Sequence, residues 1–95
     1  MYRNHASERA TQDVFRRANE RLLAAVHDRM DDDRRIPFLC ECLDPDCRST
    51  VQRTIEQFRG LRDGPNRYAI VTGHATTADE HVVEVDGDVT IVEKG

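Results

Sequence analysis

The amino-acid sequence predicts an α+β fold: a small antiparallel sheet of three or four strands, a short helix and a long N-terminal amphipathic helix. Three observations predict this class. Apolar residues recur at three- and four-residue steps near the N-terminus, as on one face of a helix. Short β-branched runs bounded by turn residues occupy the second half of the chain. All three cysteines lie between these regions within eight residues, which indicates a ligand set rather than scattered core thiols.

The first predicted element is a helix from Ser7 to Met30. Its apolar residues fall on one stripe, which is typical of an amphipathic helix. The stripe consists of Val14, Phe15, Ala18, Leu22, Ala25, Val26 and Met30. Because this apolar stripe contains only one aromatic residue and two alanines, the helix needs another surface to dock on.

The predicted domain organisation has two parts. Residues 1–33 form the N-terminal helix and a charged linker, and residues 34–95 form an α+β domain that binds zinc.

A strand is predicted from Arg34 to Cys40. Side chains alternate between the two faces of a strand, so Ile36, Phe38 and Cys40 share one face. Pro37 cannot donate a hydrogen bond to a neighbouring strand, which places this segment at a sheet edge or a strand start.

The short helix is predicted from a capping box, with Thr54 at the N-cap and Gln57 three residues later. It ends at Asp63-Gly64-Pro65, where Gly suits the position after the helix and Pro prevents its continuation. The residues expected to face inward are Ile55, Phe58 and Leu61.

The remaining strands are predicted at Tyr68–Thr72, His81–Val85 and Val89–Val92. The last two are joined by Asp86-Gly87-Asp88, and Asp-Gly between β-branched runs is a strong signal for a hairpin. These strands complete the predicted antiparallel sheet.

The cysteine spacing indicates a metal site. Cys40 and Cys42 are two residues apart on extended backbone, so their side chains point to one side while Glu41 points away. The four residues 43–46 contain turn chemistry and bring Cys47 back toward the pair. This spacing fits the loops that carry zinc ligands.

The fourth ligand is expected from a distant segment, and His74 is the first candidate. It follows the predicted strand Tyr68–Thr72, and Gly73 before it would let the backbone approach the thiolate loop. His81 is the rival ligand because it also lies near a strand end. Together the cysteines and His74 form a Cys3His set for one structural Zn²⁺ per chain. A disulfide, or three buried thiols without a metal, are the remaining alternatives.

Several signatures of catalysis are missing from the sequence. A zinc deaminase carries H-x-E followed by P-C-x-x-C, and neither occurs. Ser49 and Thr50 lack the motif of an activated nucleophile, and no phosphate-binding loop is present. Four protein ligands would also fill the coordination shell. The sequence therefore predicts no catalytic residues and no cofactor besides zinc.

Beyond these motifs, residues 36–94 resemble a group of small, functionally uncharacterised bacterial proteins. The resemblance is carried by FLCECLDPDC, the capped helix, PNRYAIV, Gly73-His74 and the ending VTIVEK. In that group the apparent ligands align with Cys40, Cys42, Cys47 and His74. One departure is Ala75, since an acid commonly follows the histidine there. The resemblance implies a zinc-binding domain and no known activity.

Composition sets the expected partners and compartment. The net charge is −4, so unspecific nucleic-acid binding is not expected. The N-terminus lacks a secretory signal, no apolar run is long enough for a membrane span, and the odd cysteine count disfavours secreted disulfides, so a cytoplasmic location is expected.

The leading hypothesis is a non-enzymatic, zinc-stabilised interaction or regulatory module that binds a protein partner, or forms a homodimer, through the N-terminal helix. The alternatives are a thiol-based redox sensor and a nucleic-acid-binding regulator.

Overall fold

The structure, a computed structural model, describes residues 5–61, 64, 66–76 and 79–94. Its elements in chain order are α1 (His5–His27), β1 (Arg35–Leu39), β2 (Thr50–Thr54), α2 (Ile55–Leu61), β3 (Arg67–Val71), β4 (Glu80–Asp86) and β5 (Val89–Lys94). Strands β1 and β2 form one antiparallel pair, and the other three form an antiparallel sheet in the order β3-β5-β4. The α+β class is confirmed.

The prediction of one sheet with three or four strands is wrong, because the five described strands divide between two sheets. Strand β2 was not predicted. Its only apolar residue is Val51, and its second inward position is occupied by Arg53, which is buried. The guanidinium of Arg53 pairs with the Asp86 carboxylate at 2.9 Å. A charged residue on the inner face hides the alternation by which a strand is recognised.

Strand β1 behaves as the sequence predicts. Ile36 and Phe38 are buried and lie opposite Arg53 and Val51 of β2. The ring of Phe38 stacks on Phe58 of α2, with 3.9 Å between ring centroids. This pair lies in the main apolar core, which the β1–β2 pair, α2 and one face of the three-stranded sheet enclose.

Helix α2 begins with the predicted capping box. The Gln57 backbone N–H donates to Thr54 Oγ1 at 3.0 Å, and the Thr54 backbone N–H donates to Gln57 Oε1 at 2.9 Å. Its inward residues are Ile55, Phe58 and Leu61, all buried. The helix ends at Leu61, and Asp63 and Pro65 of the predicted stop lie outside the described residues.

The hairpin between β4 and β5 is confirmed. Asp86 pairs with Val89, and Gly87 in the two-residue loop has a φ of +59°. Glycine adopts this left-handed conformation without a steric penalty. Strand β4 lies at the edge of its sheet and carries an irregularity in register between Val82 and Glu84.

Helix α1 ends at His27, so Met30 lies beyond it. The predicted inward stripe is wrong at Val14, whose surface is 62% exposed, and at Ala25 and Met30, which are exposed as well. Among the side chains of α1 that the structure describes, the buried ones are Gln12, Asn19 and Val26, spaced seven residues apart, and of these only Val26 belongs to the predicted stripe. Two of the three are amides, and a search for apolar periodicity places amides on the outer face.

The two halves of α1 dock differently. Near its C-terminal end, Val26 lies in the main core with Leu22 and Leu23 packed beside it. Farther toward the N-terminus, the contacts are polar: the Tyr68 hydroxyl donates to Asp13 Oδ1 at 2.9 Å, and Arg16 lies over the Tyr68 ring. In the described part of the chain, neither helix has the length and apolar character needed to cross a membrane.

Candidate metal centre

The structure brings together the four residues that the sequence selects as ligands. One ligand atom from each of Cys40, Cys42, Cys47 and His74 lies within 4.8 Å of the other three. The Nδ1 atom of His74 is 3.4 Å from Cys40 Sγ and 3.9 Å from Cys47 Sγ. Ligand atoms around one tetrahedral zinc ion lie about 3.5–3.8 Å apart, so the cluster is close to that geometry.

The first two thiols lie just after β1. Cys40 is held there because its backbone N–H donates to the Ser49 carbonyl at 3.0 Å. Cys42 is two residues farther on, and both side chains are buried on the same side of the chain. This placement follows from the alternation of side chains on extended backbone.

The third thiol returns through a tight turn. Asp44 accepts two hydrogen bonds, one at its side chain from the Asp46 N–H at 2.9 Å and one at its carbonyl from the Cys47 N–H at 3.1 Å. Asp commonly stabilises turns in this way, by bonding to backbone two residues later. The turn brings Cys47 back beside the first two cysteines.

His74 reaches the cluster from the end of β3. Its backbone N–H donates to the Val71 carbonyl at 3.1 Å, which forms a turn directly after the strand. Gly73 adopts a φ of +96°, a conformation that side chains rarely allow. The expected reason for this glycine, close approach of the backbone, is wrong, because a Cβ at Gly73 would meet no atom within 4 Å.

Burial and hydrogen bonds together set the pKa values of the three thiols. Burial raises the pKa of both Cys40 and Cys42, while the Val71 N–H, 3.2 Å from Cys40 Sγ, acts in the opposite direction. Burial also acts to raise the pKa of Cys47, but hydrogen bonds with Ser49 and the other two cysteines outweigh it, and that pKa is lowered. A divalent cation favours the thiolate form at all three positions, so metal binding here would release protons.

The donor set fits zinc. Three thiolates and one imidazole are a common tetrahedral set for structural Zn²⁺, whereas Mg²⁺ and Ca²⁺ prefer oxygen ligands. With zinc bound, the centre would carry a net charge of about −1. A depression of about 420 Å³ adjoins the cluster, lined by Cys42, Leu43, Asp44, His74 and Ala75.

His81, the alternative to His74 as fourth ligand, lies outside the cluster. It is exposed on β4, where it pairs in register with Glu93. Within the described residues, it does not belong to the group of four converging ligands.

Two buried residues next to the centre, Glu41 and Asn19, have roles that the sequence did not predict. Glu41 was expected to point away from the metal, and it does so into the protein interior, where it is fully buried. Its carboxylate accepts hydrogen bonds from Asn19 Nδ2 at 2.9 Å and from the Ala69 N–H at 3.0 Å. The only signal for this role is the position of Glu41 between two inward-facing cysteines.

Comparisons of the chain with models of known protein families, with curated proteins and with solved structures find no match. The candidate centre therefore rests on its four side chains and the geometry that brings them together.

Proposed function

We propose that this protein is a non-enzymatic interaction module whose fold is stabilised by one structural Zn²⁺ per chain. The observation that supports it is the convergence of four protein ligand atoms within 4.8 Å. Four protein ligands complete a tetrahedral shell, whereas catalytic zinc sites keep one position for water or substrate.

The ion would join the ends of two strands that lie in different sheets. Cys40 and Cys42 follow β1 in one sheet, and His74 follows β3 in the other. A domain of 95 residues buries a limited apolar core, and small domains often depend on a metal for stability. Free energy of zinc binding would therefore act as free energy of folding.

Metal analysis of the purified protein, paired with ligand variants, tests this proposal. We expect one zinc per chain in the wild type, and weakened or lost zinc together with a lower melting temperature in Cys47→Ser and His74→Ala. His81→Ala is the matched control, because it removes an exposed imidazole outside the cluster. A wild-type protein that contains no zinc, or is equally stable after exhaustive chelation, contradicts the proposal.

The partner surface that we propose is β4 rather than α1. The inward residues of α1 already contact their own domain. On β4, Val82, Val83 and Val85 are exposed by 54%, 42% and 60% at a sheet edge. Edge strands are sites at which extended segments of other proteins add to a sheet.

Charge indicates the chemistry of that partner. Residues 79–93 contain six acids and no Lys or Arg, and five of the six pair with Arg53, Arg67 or Lys94. On β4, the side chains of Glu84 and Asp86 nevertheless remain more than half exposed. A segment with alternating apolar and basic residues therefore complements both these carboxylates and the exposed valines.

Titration of isotope-labelled protein with two synthetic strand peptides, one alternating Lys and Val and the other Glu and Val, tests this surface. We expect amide shifts in β4 with the basic peptide only, and their loss in Val85→Lys. Val14→Lys is the control, because Val14 is equally exposed but lies on α1. Equal shifts with both peptides, or shifts confined to α1, contradict the proposal.

A redox sensor is the second candidate, favoured by the exposure of one ligand. Cys47 is partly exposed and lies beside two further thiols. Hydrogen peroxide would oxidise two thiolates to a disulfide, take up two protons and be reduced to two waters, and the zinc would be released. This function fits a reducing compartment such as the cytoplasm. Zinc release, followed with a chromogenic chelator, should occur at micromolar peroxide, and release only under harsh oxidation contradicts it.

A further inference from the structure

We infer that docking of α1 and metal binding at the cysteine cluster are coupled through Asn19 and Glu41. This inference rests on the proposed zinc site and concerns its regulation. Neither residue is a ligand. Both act as positioning residues, because they hold the segment that carries Cys40 and Cys42.

Asn19 binds this segment as a neighbouring strand would. Its Nδ2 donates to the Leu39 carbonyl at 2.8 Å, and its Oδ1 accepts from the Leu39 N–H at 2.8 Å. The same Nδ2 also donates to Glu41 Oε2 at 2.9 Å. Asn19 is completely buried, so water cannot replace these bonds while α1 is docked.

Glu41 links the same segment to the second sheet. Its backbone N–H donates to the Ala69 carbonyl at 2.8 Å, and its Oε1 accepts from the Ala69 N–H at 3.0 Å. Ala69 lies on β3, the strand that leads to His74. The residue between two candidate ligands therefore contacts both α1 and the strand that supplies the fourth ligand.

The geometry of extended backbone makes Glu41 a positioning residue. If its side chain is fixed on one face, Cys40 and Cys42 must lie on the other face, toward the site. A buried carboxylate is costly unless it is hydrogen-bonded, and Asn19 supplies one of its donors. Loss of α1 would remove the hydrogen bonds that Asn19 makes to Leu39 and Glu41, and this would release the cysteine pair from its orientation.

Metal binding should in turn favour the docking of α1. An ion that binds both thiolates fixes the backbone of residues 40–42, so Leu39 and Glu41 are already placed to receive Asn19. Two binding events that prefer the same conformation favour each other by the same free energy. Zinc would therefore favour docking of α1, and α1 would raise the affinity for zinc.

Asn19→Ala in the full-length protein tests this coupling. Zinc affinity is measured by competition with a chromophoric chelator, and a loss of about 10–100-fold is expected, as for other residues that orient metal ligands. Arg21→Ala is the matched control, because it changes a nearby residue of α1 that is exposed, and its affinity should equal that of the wild type.

Amide hydrogen exchange of the zinc-loaded proteins supplies a second readout. In Asn19→Ala, exchange should accelerate in α1 and in residues 39–42 and stay unchanged in α2, because α2 has no bond to Asn19. A general loss of stability would accelerate all three regions. If Asn19→Ala does not fold, Asn19→Ser is measured in the same way, since it keeps a smaller polar group.

The outcomes separate this inference from the proposed function. A folded Asn19 variant with wild-type zinc affinity overturns the coupling and leaves the zinc site standing. Equal acceleration of exchange in α1 and α2 also overturns it. A wild-type protein that does not bind zinc overturns both.

Discussion

The two helices dock on the same domain by opposite means. Helix α2 buries three apolar side chains and begins with a capping box formed within its own sequence. The part of α1 that precedes Leu22 buries the amides Gln12 and Asn19, which donate hydrogen bonds to the Glu41 and Leu39 carbonyls. The burial of α2 is therefore apolar, whereas this part of α1 docks through polar contacts.

This difference has a physical consequence. Apolar contacts are non-directional, so α2 is held by the area that it buries. A buried amide is stabilising only when particular partners are in place, because an unpaired polar group in the interior costs free energy. Helix α1 therefore depends on the exact placement of Leu39 and Glu41, whereas α2 depends on the core as a whole.

The largest effect is expected at Phe58 in α2. It is completely buried against Phe38, and Phe58→Ala should lower the free energy of unfolding by about 3–5 kcal/mol. Urea unfolding of the zinc-loaded protein measures this loss. The zinc affinity of the folded variant should stay unchanged, because Phe58 lies in the main core whereas Cys40 and Cys42 lie in a separate apolar cluster. Phe58→Leu provides a milder variant if the alanine protein does not fold, and a drop in zinc affinity of the folded form would break the contrast between the helices.

A smaller effect is expected at Gln12 in α1. Its Nε2 donates to the Glu41 carbonyl at 3.3 Å and to Glu80 Oε2 at 3.4 Å, and its Oε1 has no hydrogen-bond partner among the described residues. Gln12→Ala should cost about 1–3 kcal/mol, because it leaves a cavity and removes the two hydrogen bonds that Gln12 Nε2 donates.

Gln12→Met separates the two causes, because methionine fills the same space without an amide. If hydrogen bonding dominates, Met and Ala should destabilise equally in urea unfolding. If the unpaired Oε1 already offsets those bonds, Met should be as stable as the wild type. Recovery by Met would mean that α1 docks by packing at this position, as α2 does.

The same contrast explains what the sequence predicts well. The signals for α2 are local, since Thr54 and Gln57 bond to each other and the apolar residues repeat within one short segment. The inward face of α1 depends on partners that lie 20 residues or more away, such as Leu39 and Glu41. Nothing close to Asn19 in the sequence indicates that it is buried.

In the candidate site, too, some features follow from local sequence and others depend on residues far away in the chain. The convergence of the cysteines follows from their spacing, and the side of the strand on which they lie follows from alternation. The position of His74 was inferred from the end of a predicted strand. The buried bonds of Glu41 could not be inferred, because they require knowing that α1 and β3 pack on either side of it. Strand β2 was missed for a related reason: Arg53 is buried through acids on another sheet.

Thr54→Ala should have a more modest effect on α2. It removes the side-chain acceptor of the Gln57 N–H and should cost about 1 kcal/mol. Amide exchange in the first turn of α2 should accelerate, while exchange in α1 stays unchanged. Thr50→Ala is the control, because Thr50 is an exposed threonine on β2. If amide exchange in α1 also accelerates, then the stabilities of the two helices are coupled more strongly than their contacts indicate.

The smallest effect is expected from acid on the partly exposed pair Arg67–Glu93, which joins β3 to β5 at 2.9 Å. A hydrogen bond from Arg67 lowers the pKa of Glu93 below its ordinary 4.5. Since the folded-state pKa is lower than the unfolded one, the contribution of this group is complete above about pH 4.5 and is lost as the pH falls further. In Glu93→Gln, the urea midpoint should therefore fall less between neutral and acid pH than in the wild type. Asp33→Asn, which removes an exposed acid beyond α1, should retain the wild-type slope. An unchanged slope in Glu93→Gln would mean that solvent screens this pair completely and that the pair does not contribute to the acid sensitivity of the domain.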